Sequence, residues 1–147
     1  MAYPDLVSYE SEDEYREHFE RVYCQRSILS SDGISIRFKK EQFEHCFFES
    51  SKRDKVKDCF STLRAERIDW ILTAIQDPHA DLYDGWDNKR KKYDTNRRVS
   101  VVVGDYVVII RLLKDLQKAV FVTAFVADSP RTIARIKSGP KWSKSSA

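Results

Sequence analysis

The chain has 147 residues, the length of one domain, and its 41% hydrophobic fraction is enough for a core. One third of the residues (33%) are charged, yet the net charge is only +3. That excludes a histone-like polycation, so any nucleic-acid contact must come from a local patch.

The charge is unevenly spread. From Asp5 to Glu20 the chain is acidic, with Arg16 as its only Lys or Arg. Lys89, Arg90, Lys91, Lys92, Arg97 and Arg98 form a basic run against Asp94 alone, and Arg131 to the end is basic without an acid. Cys24, Cys46 and Cys59 are an odd set without metal-ligand spacing, and they read as free thiols in a reducing compartment. No basic-then-apolar leader opens the chain, so no signal peptide is expected. No apolar run approaches the roughly 20 residues that span a bilayer. A cytoplasmic location follows as the expectation.

In chain order, Ser11 and Glu14 form a capping-box pattern, and Tyr15, Phe19, Val22 and Tyr23 follow at helical spacing. His18 reads as a surface residue of that helix. Ser31-Asp32-Gly33 marks a turn, and Ile34, Ile36 and Phe38 then alternate as a short half-buried strand does. Glu41 to Glu49 suits a short helix or an aromatic-rich turn, and 50–58 a polar loop or frayed helix. A long helix is predicted over Ser61 to Gln76, capped by Ser61 and stopped by Pro78. Residues 79–97 lack periodicity; Gly85, Asn88 and Tyr93-Asp94-Thr95-Asn96 suggest turns.

Three strands follow over Val99 to Val103, Tyr106 to Leu112 and Ala119 to Ala127. Gly104-Asp105 suits a two-residue hairpin turn that wants glycine first. Ser129-Pro130 opens a last helix to Lys137, and 143–147 reads as a frayed tail. The fold class is α+β, with N-terminal helices packed on a small antiparallel β-meander of about four strands and a short C-terminal helix. The chain reads as a single domain over 1–147, with residues 1–30 an acidic helical segment that solvates and caps it.

Four constellations bear chemistry. His45 follows the basic pair Lys39-Lys40 and sits among aromatics. An imidazole there can exchange a proton with a ribose hydroxyl, or it can merely bond a carbonyl in the core. Arg64 and Arg67 lie three apart on the long helix, as a phosphate grip or an ordinary solvated face. Trp86 and Tyr93 interleave with Lys91, Lys92 and Arg98, a mixture that suits RNA but also a core plug beside a basic loop. Strict alternation puts Phe121, Thr123 and Phe125 on one face of their strand, and Val120, Val122, Ala124 and Val126 on the other. There is no glycine-rich phosphate loop, no HExxH and no Cys-x-x-Cys, and neither metal nor cofactor is expected.

The order of these segments carries a family resemblance. Phe43-Glu44-His45-Cys46-Phe47 precedes Arg64-Ala65-Glu66-Arg67-Ile68-Asp69-Trp70-Ile71 and Asp77-Pro78. Gly85-Trp86-Asp87, Arg97-Arg98-Val99, Tyr106-Val107-Val108-Ile109-Ile110, Phe121-Val122-Thr123-Ala124-Phe125 and Pro140-Lys141-Trp142 follow. Over 34–142 this resembles the phage and polymorphic-toxin nucleases of the barnase–EndoU–colicin E5/D–RelE group, especially the phage-associated branch. The resemblance implies a metal-independent endoribonuclease, toxin-like and tRNA-directed, that cleaves by 2′-hydroxyl attack and leaves a cyclic phosphate. It maps His45 to the general base or acid, and Thr123 and Arg67 to the other catalytic positions. Lys39, Lys40, Arg64, Trp86, Lys91, Lys92, Arg98 and Phe125 become RNA contacts. A tyrosine such as Tyr106, or a lysine, would complete the acid/base pair. RNA and a cognate immunity protein or antitoxin are the implied partners, with action in the cytoplasm of the host or of a target cell. A non-catalytic RNA-binding protein and a phage or plasmid accessory protein are the alternatives.

Overall fold

Ser11 begins the first helix as its spacing to Glu14 requires. In this computed structural model, residues 3–49, 59–87, 91–114 and 117–142 are described, with backbone alone for 85–87 and 92–97. The Ser11 hydroxyl accepts from the Glu14 amide at 3.3 Å, and helix α1 runs Glu12–Tyr23. Glu12, Asp13 and Glu14 stand at the positive end of its dipole. Tyr15, Phe19 and Tyr23 recur every fourth residue and are buried. The Phe19 ring meets those of Tyr23, Phe38, Phe43, Phe47 and Phe121 at centroid distances of 5.6 to 6.2 Å. The acidic segment is therefore half core, not a solvated cap. His18, expected at the surface, is only 7% exposed. Its Nε2 donates to Asp69 at 2.7 Å and its Nδ1 lies 2.8 Å from the Tyr9 hydroxyl, so burial leaves no ring nitrogen unpaired.

Strands β1 (Ile28–Leu29) and β2 (Ser35–Arg37) form a hairpin whose turn uses Gly33 at φ 82°. Ile34, Ile36 and Phe38 are buried, as their alternation predicts. Helix α2 (Gln42–Phe47) buries Phe43, Cys46 and Phe47. Strands β3 (Phe48–Glu49) and β4 (Cys59–Phe60) pair antiparallel beside it. The polar segment 50–58 lies outside the described residues.

The long helix predicted over 61–76 is two helices, α3 (Thr62–Ala65) and α4 (Ile68–Ile75). Ser61 does cap the first, accepting from the Arg64 amide. The break has identifiable causes in competing hydrogen bonds. The Glu66 carbonyl accepts from Val7 N of the N-terminal segment, and the Trp70 amide turns to Arg67 O. One turn on, the Tyr23 hydroxyl is inserted into the ladder: it accepts from Leu72 N at 3.0 Å and donates to Ile68 O at 2.6 Å. Leu63 of α3 is 60% exposed.

The second half is the meander β5 (Asp81–Asp87), β6 (Lys92–Val103), β7 (Tyr106–Leu112) and β8 (Lys118–Val126), followed by helix α5 (Pro130–Lys137). With the first hairpin it makes a six-stranded sheet in the order β1-β2-β8-β7-β6-β5, parallel only between β2 and β8. Gly104, at φ 61°, opens the two-residue turn between β6 and β7. Where turns were expected at Gly85 and at Tyr93-Asp94-Thr95-Asn96, β5 and the first half of β6 run as strands instead, and Gly85 sits at a register shift within β5; Asn88 lies outside the described residues. The outer edge of β5 is closed by 140–142, through Pro140 O to Asp84 N and Leu82 O to Trp142 N. No described helix is long and apolar enough to cross a membrane.

The inner face of the sheet packs on the N-terminal helices through Val99, Val101, Tyr106, Val108, Ile110, Leu112, Ala119, Phe121 and Ala124. On the outer face, Tyr83, Val102 and Val107 meet Ile109, Phe125 and, from α5, Ile133 and Ile136. Phe121 and Phe125 therefore lie on opposite faces, contrary to strict alternation. Ile110 partners Phe121 while Ile109 partners Thr123, so Val122 is an extra residue that reverses the parity of β8.

Candidate active site

Helix α5 covers one end of the outer face and leaves the other end open. There a hollow of about 370 Å³ is lined by Lys39, Glu41, Gln42 and His45 on one side and by Arg98, Arg111, Val120, Phe121 and Val122 on the other. Each side follows from local structure. Phe38 is pinned in the core, its ring 4.6 Å from that of Phe121, so the next residue, Lys39, emerges at the surface. Buried Phe43, Cys46 and Phe47 fix the roll of α2, which leaves Glu41 and His45, four apart on one helical face, toward the hollow. Cys46 locks this placement on the free edge of β8, where its sulfur accepts from Ala124 N at 3.3 Å.

Across the hollow, Arg98 and Arg111 are direct cross-strand partners on β6 and β7. Like charges opposed in this way repel, unless an anion lies between them. Lys39, Arg98 and Arg111 make no ion pair with any described residue. Glu44, the acid beside His45, belongs elsewhere: it accepts from Arg16 of α1 at 3.3 Å. Lys40 likewise turns to Glu20 at 3.9 Å, so the basic pair Lys39-Lys40 splits between two environments.

A second hollow, of about 470 Å³, lies between α3 and α5 and is lined by Glu49, Leu63, Arg64, Phe125, Asp128, Thr132 and Arg135 among others. Arg64 donates to Cys46 O at 3.1 Å, pairs with Glu49 at 3.4 Å and stands 6.0 Å over the Phe125 ring. Arg64 and Phe125 are thus together, but apart from the residues that line the His45 hollow.

The structure therefore regroups the residues singled out from the sequence. His45, Lys39 and Arg98 come together. Arg67 lines neither hollow: its guanidinium donates to Leu63 O and Glu66 at 2.9 Å and lies 5.1 Å over Trp70. Thr123, half-buried and opposite Ile109, also lines neither. Tyr106 is buried in the core beside Trp70, and burial pushes its hydroxyl well above the ordinary tyrosine range, so it is no proton donor to this surface. Lys91 is exposed at φ 53°. The side chains of Trp86, Lys92 and Tyr93 lie outside the described part. Glu41 and Arg111 are the functional candidates that sequence reading missed. The signal for the first was an acid four residues before the only histidine near a basic pair. Among the described residues, no cluster of three or more His, Cys, Asp or Glu suits a metal ion.

Comparison of the chain with protein-family models, with curated proteins and with solved structures gives no match.

Proposed function

We propose that the hollow is the active site of an endoribonuclease that needs no metal. One observation carries this reading: a carboxylate and an imidazole, Glu41 and His45, share one helical face opposite Arg98 and Arg111, with Lys39 at the rim. RNA cleavage by its own 2′-hydroxyl asks for a base, an acid and positive charge, and no more. In this reading the phosphate lies between the two arginines, whose mutual repulsion it relieves. The Glu41 carboxylate takes the 2′-hydroxyl proton, and the 2′-oxygen bonds to phosphorus. The bond from phosphorus to the 5′-oxygen breaks, and protonated His45 gives that oxygen its proton. The products are a 2′,3′-cyclic phosphate and a free 5′-hydroxyl. Lys39, Arg98 and Arg111 hold the charge that builds on the non-bridging oxygens.

The test is incubation of the protein with total tRNA in EDTA, beside His45→Ala and Glu41→Gln. Both side chains are exposed, so neither change should disturb folding. Wild-type protein is expected to give discrete fragments ending in cyclic phosphate, and each variant to be slower by roughly 10²–10⁴-fold. RNA that stays intact with the wild type would end the enzymatic reading. Steeply salt-dependent binding without cleavage would instead assign the same three cations to an RNA-binding protein.

A further inference from the structure

The register of the sheet sets up a longer feature than the hollow. Arg37 on β2 is the cross-strand partner of Val120 on β8, Val120 of Arg111 on β7, and Arg111 of Arg98 on β6. Cross-strand partners share a face, so these four residues form one row across four adjacent strands. At about 4.8 Å per strand the row is about 14 Å long. Three of its four positions are arginine; the fourth, Val120, lies in the floor of the hollow. Arg37 is exposed and, like Arg98 and Arg111, makes no ion pair with any described residue. Alternation through buried Phe38 returns Lys39 to the same side as Arg37, so the β2 end of the row carries two cations.

Such a row has a cost in self-repulsion, and Glu41 is the one acid among the residues that line the hollow. Its form suits one polyanionic strand. A single line of cations on one sheet face follows a single backbone, and half-buried Val120 and Val122 offer apolar contact to sugars and bases between them. An A-form duplex holds its bases inside and presents phosphates on two rims, which one short line does not match.

From this we infer that Arg37, Arg111 and Arg98 form a track for consecutive phosphates of single-stranded RNA, which crosses the sheet at right angles to its strands. The scissile phosphate lies beside His45, and Arg37 grips a neighbouring phosphate outside the hollow. This rests on the ribonuclease reading for the identity of the polyanion, but it concerns binding and is measured without cleavage.

The test uses 2′-O-methyl RNA of about ten nucleotides, which cannot attack its own phosphates, as a single strand and as a duplex, followed by fluorescence anisotropy over a range of salt. Wild-type protein should prefer the single strand. Arg37→Ala should weaken that binding and lower the slope of log K against log salt by roughly 0.7, one single-strand phosphate. Arg37→Lys should restore the slope. On cleavable RNA, Arg37→Ala should lower kcat/KM for oligomers and leave a dinucleotide, too short to reach Arg37, at the wild-type rate. An unchanged slope in Arg37→Ala beside a lowered one in Arg98→Ala would overturn the track and leave the ribonuclease reading intact. So would tighter binding of the duplex. Normal slopes without any cleavage would sink the ribonuclease reading and keep the track. Failure of the wild type to bind RNA would overturn both.

Discussion

Asp77, just before the proline that closes α4, shows how single contacts tie the chain together. Its Oδ1 accepts from His79 N at 2.9 Å and its Oδ2 from the Tyr3 hydroxyl at 3.1 Å, so it fastens the N-terminal segment to the end of the helix. The backbone hydrogen bond from His79 comes first among the causes that hold this carboxyl below its ordinary range, and the Tyr3 hydroxyl adds to it. A depressed folded value stabilises the fold fully above the unfolded value of about 3.9, and the contribution is lost as pH falls through the folded value. Asp77→Asn should therefore lower Tm at pH 7, and the gap to wild type should close as the pH falls below the ordinary carboxylate range and through the folded value. Thermal melts followed by circular dichroism across that range measure it. A gap that stays constant with pH would show that the carboxylate's charge plays no part. At this scale the sequence was legible where residue type and local pattern agree: Ser11, Gly33, Gly104, and His45 beside Lys39. It was not legible where a side chain's partner lies far along the chain. His18 is buried with Tyr9 and Asp69 as its partners, and Arg111 becomes a candidate only because Arg98 lies across from it.

Among the described helices, α5 alone has no buried residue. It has a good start, with Ser129 accepting from Thr132 N and proline in its first turn. Eight residues are too few to hold a helix in isolation, so it depends on half-buried Ile133 and Ile136 against the outer sheet face. Two such partial burials supply on the order of 2 kcal/mol. Replacing both by serine should free the helix and leave the sheet folded. Hydrogen exchange would then show lost protection at 130–137 and unchanged protection across β6 to β8. Loss of protection in the strands as well would mean that α5 is integral to the sheet's stability. The elements also show why periodicity misled in places. The Val122 bulge and the α3–α4 break are each one-residue events, and each moves everything downstream to another face. Neither leaves a composition signal, because the causes are a partner strand's register and the distant Val7 amide, which takes the Glu66 carbonyl. Strand β5 was hidden for a related reason: its pairing is interrupted at Gly85, and its outer edge is completed by residues more than fifty positions later.

At the scale of the whole molecule, the acidic N-terminal segment decides between two pictures. A displaceable shield over a basic face would have to leave without harm to the core. The contacts say otherwise. Pro4 O accepts from the Trp70 indole at 2.8 Å, Val7 N donates to Glu66 O at 2.8 Å, and Val7 O accepts from the Tyr15 hydroxyl at 3.1 Å. Phe19 then stands at the centre of an aromatic cluster that joins α1, α2, the segment after β2 and strand β8. Phe19→Ala should cost about 3–5 kcal/mol of unfolding free energy in urea titrations, a large share of the roughly 5–15 kcal/mol a domain commonly has. Deleting residues 1–24 goes further: it uncovers Phe38, Phe43, Phe47 and Phe121, and it removes the Tyr23 hydroxyl from the backbone of α4. The truncated chain should lose its cooperative transition and bind a hydrophobic dye, as a loosely packed state does. If it instead unfolds in one sharp step with an undiminished m-value, residues 25–142 hold a core of their own, and the acidic segment is free to act as a cover after all.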